Sequence, residues 1–209
     1  VGVIGCFTNR AGIATYPLSH HANPLPSGQT VASLDALFAR ANRGNAVALP
    51  VVTGPCLYFR RACLDAIGVL DAAPIGGDYG VEVDFCLRAA SAGFRHLLAG
   101  DVFVGHEGHA SCASWDEGEL LVARAQQALM KLYPTYRAQV QEADAADAGR
   151  QFARRVDLAR LAQSPRQPVV FISHPWGGGI RRYMHDLVAL TEDRCDVLFL
   201  EPAVDDTVK

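Results

Sequence analysis

The chain has 209 residues, of which 50% are hydrophobic and 20% charged, and its formal net charge is −3. This composition supports a packed core and argues against global disorder, and the absence of a Lys/Arg-rich run argues against a nucleic-acid partner. No apolar run approaches the roughly 18–20 residues that a membrane-spanning helix needs. The first ten residues lack the features of a signal peptide. Because the chain begins without Met inside a strand-like run, we expect it to be part of a longer polypeptide.

The first half of the chain predicts an alternation of strands and helices. A strand opens residues 1–29 and leads into a loop rich in turn-forming residues, where three prolines disfavour a helix. Thr30 is a typical N-cap for a helix that Gly44 ends. The segment 46–61 predicts extended chain interrupted at two prolines, and a short helix over about 61–67 follows.

The glycine-rich stretch "GGDYGVEVDFCLR" precedes a predicted helix from about Val81 to Ala92. Two short strands, "FRHLL" and "DVFVGH", come next and are expected to flank a turn at Gly100-Asp101. Ser114 and Glu117 form a predicted capping box for a helix that runs to about Tyr133. The residues 135–163 predict further helix.

The composition changes at "QSPRQP", residues 163–168, which we interpret as a linker. After it, "VVFISHPWGGGIRRYMHDLVAL" predicts a strand, a glycine-rich turn and an amphipathic helix, and "CDVLFLEP" predicts a second strand. This β-α-β pattern is typical of the start of a parallel α/β domain.

Six cysteines are scattered through the chain without a C-x-x-C pair: Cys6, Cys56, Cys63, Cys86, Cys112 and Cys195. This spacing disfavours a zinc ribbon or a disulfide framework. Most lie in apolar contexts, where a free thiol behaves as a small hydrophobe. The pattern therefore predicts a reducing, cytoplasmic compartment.

The acids of the glycine-rich stretch allow two interpretations on spacing alone. Glu82 falls in the first turn of the predicted helix, where the helix dipole favours a carboxylate. Asp84 and Arg88 are four residues apart and suit a helix-surface pair, and Asp78 lies in the turn. A solvated helix start therefore competes with an active-site cluster, although the three glycines indicate a bent or closely approached backbone.

Several ordered motifs carry a family resemblance over roughly residues 1–115. The segment "VTGPCLYFRRACLDAIGVLD", the stretch around "GGDYGVEVDFCLR" and the strand ending in "DVFVGHEGHAS" resemble the acceptor-side half of inverting family-2 glycosyltransferases of the GT-A type, in a rhamnosyltransferase-like branch. The run "HEGH" does not fit a zincin metalloprotease, because that motif needs H-E-x-x-H on one helical face.

The resemblance implies a role for each matching residue. Glu82 matches the general base that takes a proton from the acceptor hydroxyl, and Asp84 either orients the acceptor or base or pairs with Arg88. His106 matches a ligand of the divalent metal, Mn or Mg, that carries the nucleotide diphosphate; His109 and Ser111 are weaker matches. Acceptor-binding residues are implied in two short segments: Thr53, Gly54, Gly77, Asp78, Tyr79 and Gly80.

Two departures from the family pattern bear on activity. The first acid of the family's acidic pair falls on Val81. No D-x-D occurs in residues 1–115, although transferases of this type hold the metal and nucleotide through that motif. We therefore expect the chain to carry the acceptor side and to be inactive alone.

The C-terminal β-α-β stretch resembles the start of a GT-B transferase of the family-4 kind. Gly177, Gly178 and Gly179 match its glycine-rich loop, where backbone N–H groups can meet a phosphate or sugar oxygen, although a plain strand–turn–helix connection explains them as well. The resemblance thus implies an acceptor-side GT-A half at 1–115, a helical extension and linker at 116–165, and a truncated Rossmann-like unit at 166–209.

The expected activity is sugar transfer to a cell-surface polysaccharide of the O-antigen kind. The implied partners are a nucleotide-sugar donor and a glycan acceptor, with no nucleic acid. A lipid-linked acceptor would bring the protein to the inner face of the cytoplasmic membrane, and self-association stays open. The alternative is a non-catalytic carbohydrate-binding or scaffolding module, which Val81 favours.

Overall fold

The computed structural model describes residues 1–10, 12–107, 115–173, 178–191 and 193–200. Contacts group the chain into two compact units, Val1–Val156 and Asp157–Lys209. The sequence analysis predicts boundaries after residues 115 and 165. The assignment of the three resulting segments to parts of two glycosyltransferases stays a prediction.

The first unit is built on a four-stranded mixed sheet with the strand order β2-β4-β1-β3. Its central strands β1 and β4 run parallel, while β3 is antiparallel to β1 and β2 is antiparallel to β4. The strands are β1 (Val3–Thr8), β2 (Ala46–Leu49), β3 (Leu57–Phe59) and β4 (His96–Val104). The two central strands contribute buried side chains such as Val3, Phe7 and Leu98.

The predicted turn at Gly100-Asp101 is wrong, because β4 is one continuous strand through it. The pairing with β1 shifts there: Cys6 pairs with Ala99, but the next residue, Phe7, pairs with Phe103. The extra residues form an irregularity in the ladder rather than a chain reversal. Gly100 is required at this point, since an added Cβ would lie 2.8 Å from the ring of Phe152.

The first helix, α1 (Val31–Ala41), has the predicted N-cap at Thr30. Thr30 Oγ1 accepts from the backbone N–H of Ser33, and the Ser33 hydroxyl accepts from the backbone N–H of Thr30. The helix packs an aromatic side chain, Phe38, into the core, with ring centroids 5.0 Å from Phe7 and 5.3 Å from Phe103. Such ring pairs stabilise a core beyond the area that they bury.

Two helices follow at the predicted places. The first, α2 (Arg61–Ile67), ends at Gly68, and the second, α3 (Val81–Ser91), begins after Gly80. Gly80 adopts the left-handed conformation, with φ 80°, which glycine adopts at little cost. An added Cβ there would lie 3.1 Å from Leu129, so glycine also permits the close approach of the helix that contains Leu129.

The segment after β4 is helical, as predicted. It contains α4 (Trp115–Leu132), α5 (Tyr136–Ala145) and α6 (Arg150–Gln163), so the stretch 135–163 is divided between two helices. The predicted capping box at Ser114 lies outside the described residues. Leu129 and Ala125 of α4 are buried, as are Phe152 and Val156 of α6.

The second unit contains a two-stranded parallel sheet, β5 (Gln167–Ile172) with β6 (Cys195–Leu200), joined through α7 (Gly178–Thr191). This confirms the predicted β-α-β order. The mixed α/β class is likewise confirmed by the two sheets and their connecting helices. None of the described helices combines the length and apolar character that a membrane crossing requires.

Candidate functional site

A pocket of about 520 Å³ opens in the first unit where the sheet, α3, α4 and α5 meet. Its volume lies within the range of small-molecule sites, about 300–1,000 Å³. Six of the residues singled out from the sequence line it, although they come from three separate segments: Thr53, Gly54, Tyr79, Gly80, Glu82 and His106. The fold therefore brings these segments together at one cavity.

Other predicted residues lie elsewhere. Gly77 and Asp78 do not line this pocket, and Asp78 is exposed to solvent. Gly178 and Gly179 begin α7 in the second unit, with Gly178 in the left-handed conformation. The remaining ones, Gly177, His109 and Ser111, lie outside the described residues.

Glu82 has the environment of a basic carboxylate. It lies in the first turn of α3, is only partly exposed and lines the pocket. Burial raises the pKa of its carboxyl above the ordinary value, and a hydrogen bond from its own backbone N–H opposes that effect. A raised pKa makes the ionised carboxylate a stronger proton acceptor at neutral pH, which is what general-base catalysis requires.

The ring of His106 is oriented by the loop that follows β1. Its Nδ1 hydrogen-bonds the carbonyl oxygen of Arg10, and its backbone N–H donates to Asn9 Oδ1 at 2.7 Å. A carbonyl oxygen only accepts, so Nδ1 carries the proton and the Nε2 of the neutral ring keeps its lone pair. An imidazole held in this way is prepared to ligate a metal or to accept a hydrogen bond through Nε2.

His106 is nevertheless not part of a complete set of metal ligands in the described part of the chain. There, no group of three or more His, Cys, Asp or Glu side chains is arranged to hold a metal ion. One imidazole fits a divalent ion as a single ligand but does not make a complete site. A metal at His106 would therefore need further oxygen ligands from a bound molecule or from other residues.

Asp84 lies in the core rather than in the pocket. It is 1% exposed, and its Oδ2 pairs with Arg88 Nε at 2.8 Å. Its Oδ1 accepts a hydrogen bond from the Tyr133 hydroxyl, just beyond α4. The same contact, together with burial, raises the pKa of Tyr133 to about 12, with burial the larger cause. Of the two roles considered for Asp84, the pair with Arg88 is the one observed.

Helix α5 supplies pocket residues that the sequence reading did not single out. Tyr136, Val140 and Asp144 recur every four residues, so they share one helical face, and all three line the pocket. Burial, followed by the charge of Glu82, raises the pKa of Tyr136. The four-residue spacing is visible in the sequence, but the family resemblance places this segment in a helical extension outside the site.

A second missed residue, His20, comes from the long loop after β1. Its Nε2 lies 3.1 Å from Asp144 Oδ1, so the loop and α5 are joined across 124 positions of sequence. The buried Asn23 orders this loop, since its side-chain amide donates to the carbonyl oxygens of Leu18 and His21. The pocket thus has a polar wall on the α5 side.

The pocket is acidic and apolar in character. Its titratable lining residues include Glu82 and Asp144, whereas no Lys or Arg occurs among the described lining residues. Since anionic ligands are usually held by cationic side chains, a phosphate-rich ligand is poorly matched to this cavity.

Comparison with protein-family models, with curated proteins and with solved structures finds no match to this chain. The structure itself defines the fold class: a mixed α/β protein with a four-stranded mixed sheet and a small parallel sheet.

Proposed function

We propose that the first unit is the acceptor-binding side of an inverting glycosyltransferase of the GT-A, family-2 kind that acts on a cell-surface polysaccharide in the cytoplasm. The observation that carries the proposal is the pocket in which Glu82, partly buried and with a raised pKa, lies beside segments that match the family's motifs. The expected glycan would enter this pocket, and Glu82 would face one of its hydroxyls.

The charge of the pocket supports an acceptor rather than a donor. A nucleotide-sugar carries a diphosphate, whose binding calls for cationic side chains or a metal. The described lining residues include no Lys or Arg, while the apolar and aromatic ones, such as Tyr79 and Tyr136, suit the faces of a sugar ring. No D-x-D occurs in residues 1–115, so we assign only the acceptor side to this unit.

In the proposed mechanism, Glu82 accepts the proton of the acceptor hydroxyl as that oxygen attacks the anomeric carbon of the donor sugar. The sugar is transferred with inversion, and the nucleoside diphosphate leaves. The low exposure of the carboxylate strengthens its basicity, Tyr136 lies close enough to interact with its charge, and Asp144 is a further polar group of the same pocket. A divalent metal, if bound, would neutralise charge on the departing diphosphate, and His106, held through its Nδ1, would offer it one ligand, Nε2.

A non-catalytic carbohydrate-binding module is the second candidate. Val81 occupies the position where the family has an acid, and among the described residues His106 belongs to no group of three or more side chains that could hold a metal ion. Both candidates require glycan binding in the same pocket, and they differ in whether Glu82 is needed for turnover. For the second unit we propose the start of a GT-B transferase domain, on its β-α-β order.

The binding test uses two neighbouring glutamines of α4. Gln126 and Gln127 are both exposed, but only Gln126 lines the pocket. We expect Gln126→Trp to fill the mouth of the pocket and abolish the binding of a bacterial polysaccharide oligosaccharide, measured by saturation-transfer NMR. Gln127→Trp is the matched control and should bind as the wild type does. Equal binding by both variants would place the glycan elsewhere, and binding of no glycan at all would refute the proposed function.

The catalytic test separates the two candidates. In a polypeptide that joins this chain to a donor-binding half, Glu82→Gln should abolish sugar transfer and leave glycan and donor binding nearly intact. Asp78→Asn is the control, because Asp78 is an exposed acid outside the pocket. No transfer even with Glu82 in place would favour the binding module, and undiminished turnover in the Glu82 variant would place the base at another acid.

A further inference from the structure

Cys6 of β1 and Cys56, the residue just before β3, lie next to each other. Strands β1 and β3 are antiparallel, and Gly5 pairs with Leu57. The next residue of β1 is Cys6, and the residue before Leu57 is Cys56, so extending the register by one residue would set these two cysteines opposite each other. Opposed residues of an antiparallel pair have Cα atoms about 4.5–5.5 Å apart, which falls within the range that a disulfide spans.

The contacts agree with this register. The Cys6 thiol donates to the carbonyl oxygen of Cys56 at 3.6 Å, and the Cys56 thiol is within hydrogen-bonding reach of Cys6. Both thiols are free, with Cys6 buried and Cys56 exposed to solvent. Two other cysteines, Cys63 and Cys86, are free and fully buried, so a polar oxidant has no access to them.

We propose that Cys6 and Cys56 form a reversible disulfide when the protein meets a small disulfide oxidant such as glutathione disulfide. The exposed Cys56 thiolate attacks one glutathione sulfur, which makes a mixed disulfide and releases one glutathione thiolate. The Cys6 thiol then loses its proton and attacks the Cys56 sulfur, releasing the second glutathione. Two protein thiols are oxidised, and one glutathione disulfide is reduced to two thiols.

The order of attack follows from exposure. Burial raises the pKa of Cys6 to about 12, so this thiol is almost wholly protonated at neutral pH and is a poor first nucleophile. The same protonation makes the second step the slow one. The mixed disulfide on Cys56 should therefore accumulate first, and its conversion to the protein disulfide should become faster as pH rises.

The bond would fix one wall of the pocket. Cys56 directly follows Thr53, Gly54 and Pro55, all of which line the pocket. This stretch lies outside the named strands, and tying Cys56 to β1 restricts its motion. Oxidation is thus expected to lower the mobility of the pocket wall, whatever the ligand of the pocket is.

The test treats the 209-residue protein with glutathione disulfide and maps the thiols by mass spectrometry after tryptic digestion. Cys6 and Cys56 fall in separate tryptic peptides, so their bond appears as a cross-linked pair that a reductant separates. Cys6→Ser should leave Cys56 as the glutathione mixed disulfide, and Cys195→Ser should form the same cross-link as the wild type. Hydrogen exchange at Gly54 and Cys56 should be slower in the cross-linked protein.

Two results would overturn the proposal. One is a wild-type protein in which Cys56 stays a mixed disulfide at every pH while Cys6 remains a free thiol. The other is a cross-link from Cys56 to a different cysteine. Because both readouts are made on the wild-type protein without any glycan, neither depends on the proposed function.

Discussion

Asp84 holds α3 against two neighbouring segments, and Asp84→Asn removes its charge while keeping its volume. In the native protein one carboxylate oxygen pairs with Arg88, and the other accepts from the Tyr133 hydroxyl. Arg88 also donates to the carbonyl oxygens of Ile67 and Val69, at 2.8 and 3.1 Å. Asp84 therefore links α3, the end of α2 and the chain after α4.

The cost of the substitution can be worked from burial. Removing one partner of a buried ion pair costs about 3–5 kcal/mol, because the other charge is left uncompensated. Arg88 is 28% exposed and keeps its two backbone contacts, so the lower end of that range applies. We expect a loss of about 3 kcal/mol, which corresponds to roughly a hundredfold change in an opening equilibrium.

Amide hydrogen exchange of α3 is the appropriate assay, because two compact units make a single unfolding curve hard to interpret. The α3 amides should exchange roughly a hundred times faster in Asp84→Asn than in the wild type. Asp78→Asn, the same chemical change at an exposed site, should alter exchange little, by less than about 0.5 kcal/mol. Tyr133→Phe should be non-additive with Asp84→Asn, since the first change removes the hydroxyl that donates to Asp84 and the second removes the charge of the group that accepts from it.

The reasoning about Asp84 fails if α3 exchanges equally fast in the wild type and in Asp84→Asn. It also fails if Tyr133→Phe and Asp84→Asn are strictly additive, because the hydroxyl and the carboxylate would then not be coupled.

Three further predictions concern the pocket. Gly80→Ala should lower the stability of α3 by about 1–2 kcal/mol for the left-handed backbone, and by more than Gly93→Ala, since both glycines have positive φ but only at Gly80 would the Cβ meet Leu129. Equal acceleration of α3 amide exchange by the two variants would show that the contact with Leu129 contributes nothing. Glu82→Gln should raise stability at neutral pH, because a raised native pKa means that the ionised carboxylate opposes folding. This gain should vanish below the ordinary pKa of Glu, where both states are protonated, and a gain that persists in acid would point to a cause other than charge. A glycan carrying a carboxylate should bind more weakly by NMR titration than its neutral counterpart, and equal affinity would contradict the acidic character of the pocket.

The sequence predicted local structure well where a local signal decides it. The cap at Thr30, the end of α2 at Gly68 and the start of α3 after Gly80 are set by backbone conformation and neighbouring residues. The turn predicted at Gly100 failed because the glycine serves a distant contact, the ring of Phe152. Such a contact arises from the tertiary fold, and the residues next to Gly100 in sequence give no signal of it.

The residues of the pocket were likewise predictable only where a local sequence motif marks them. Glu82 and His106 were found through motifs, but the geometry of a helix separates Glu82 from Asp84, since residues two apart do not face one side. That argument needs only the sequence, and it favours just one of these two acids, Glu82 or Asp84, in the pocket. The contribution of Tyr136 and Asp144 required knowing that α5 packs over the cavity, which only tertiary structure supplies.

The most direct test of the account is a carbon-detected NMR titration of the Glu82 carboxyl in the 209-residue protein, without and with a polysaccharide oligosaccharide. The account predicts a pKa above the ordinary value of Glu in the free protein, and a bound glycan that shifts the Glu82 resonance while the exposed Asp78 stays unchanged. An ordinary pKa for Glu82, together with no response of its resonance to any glycan, would contradict the claim that this carboxylate is the base of an acceptor site.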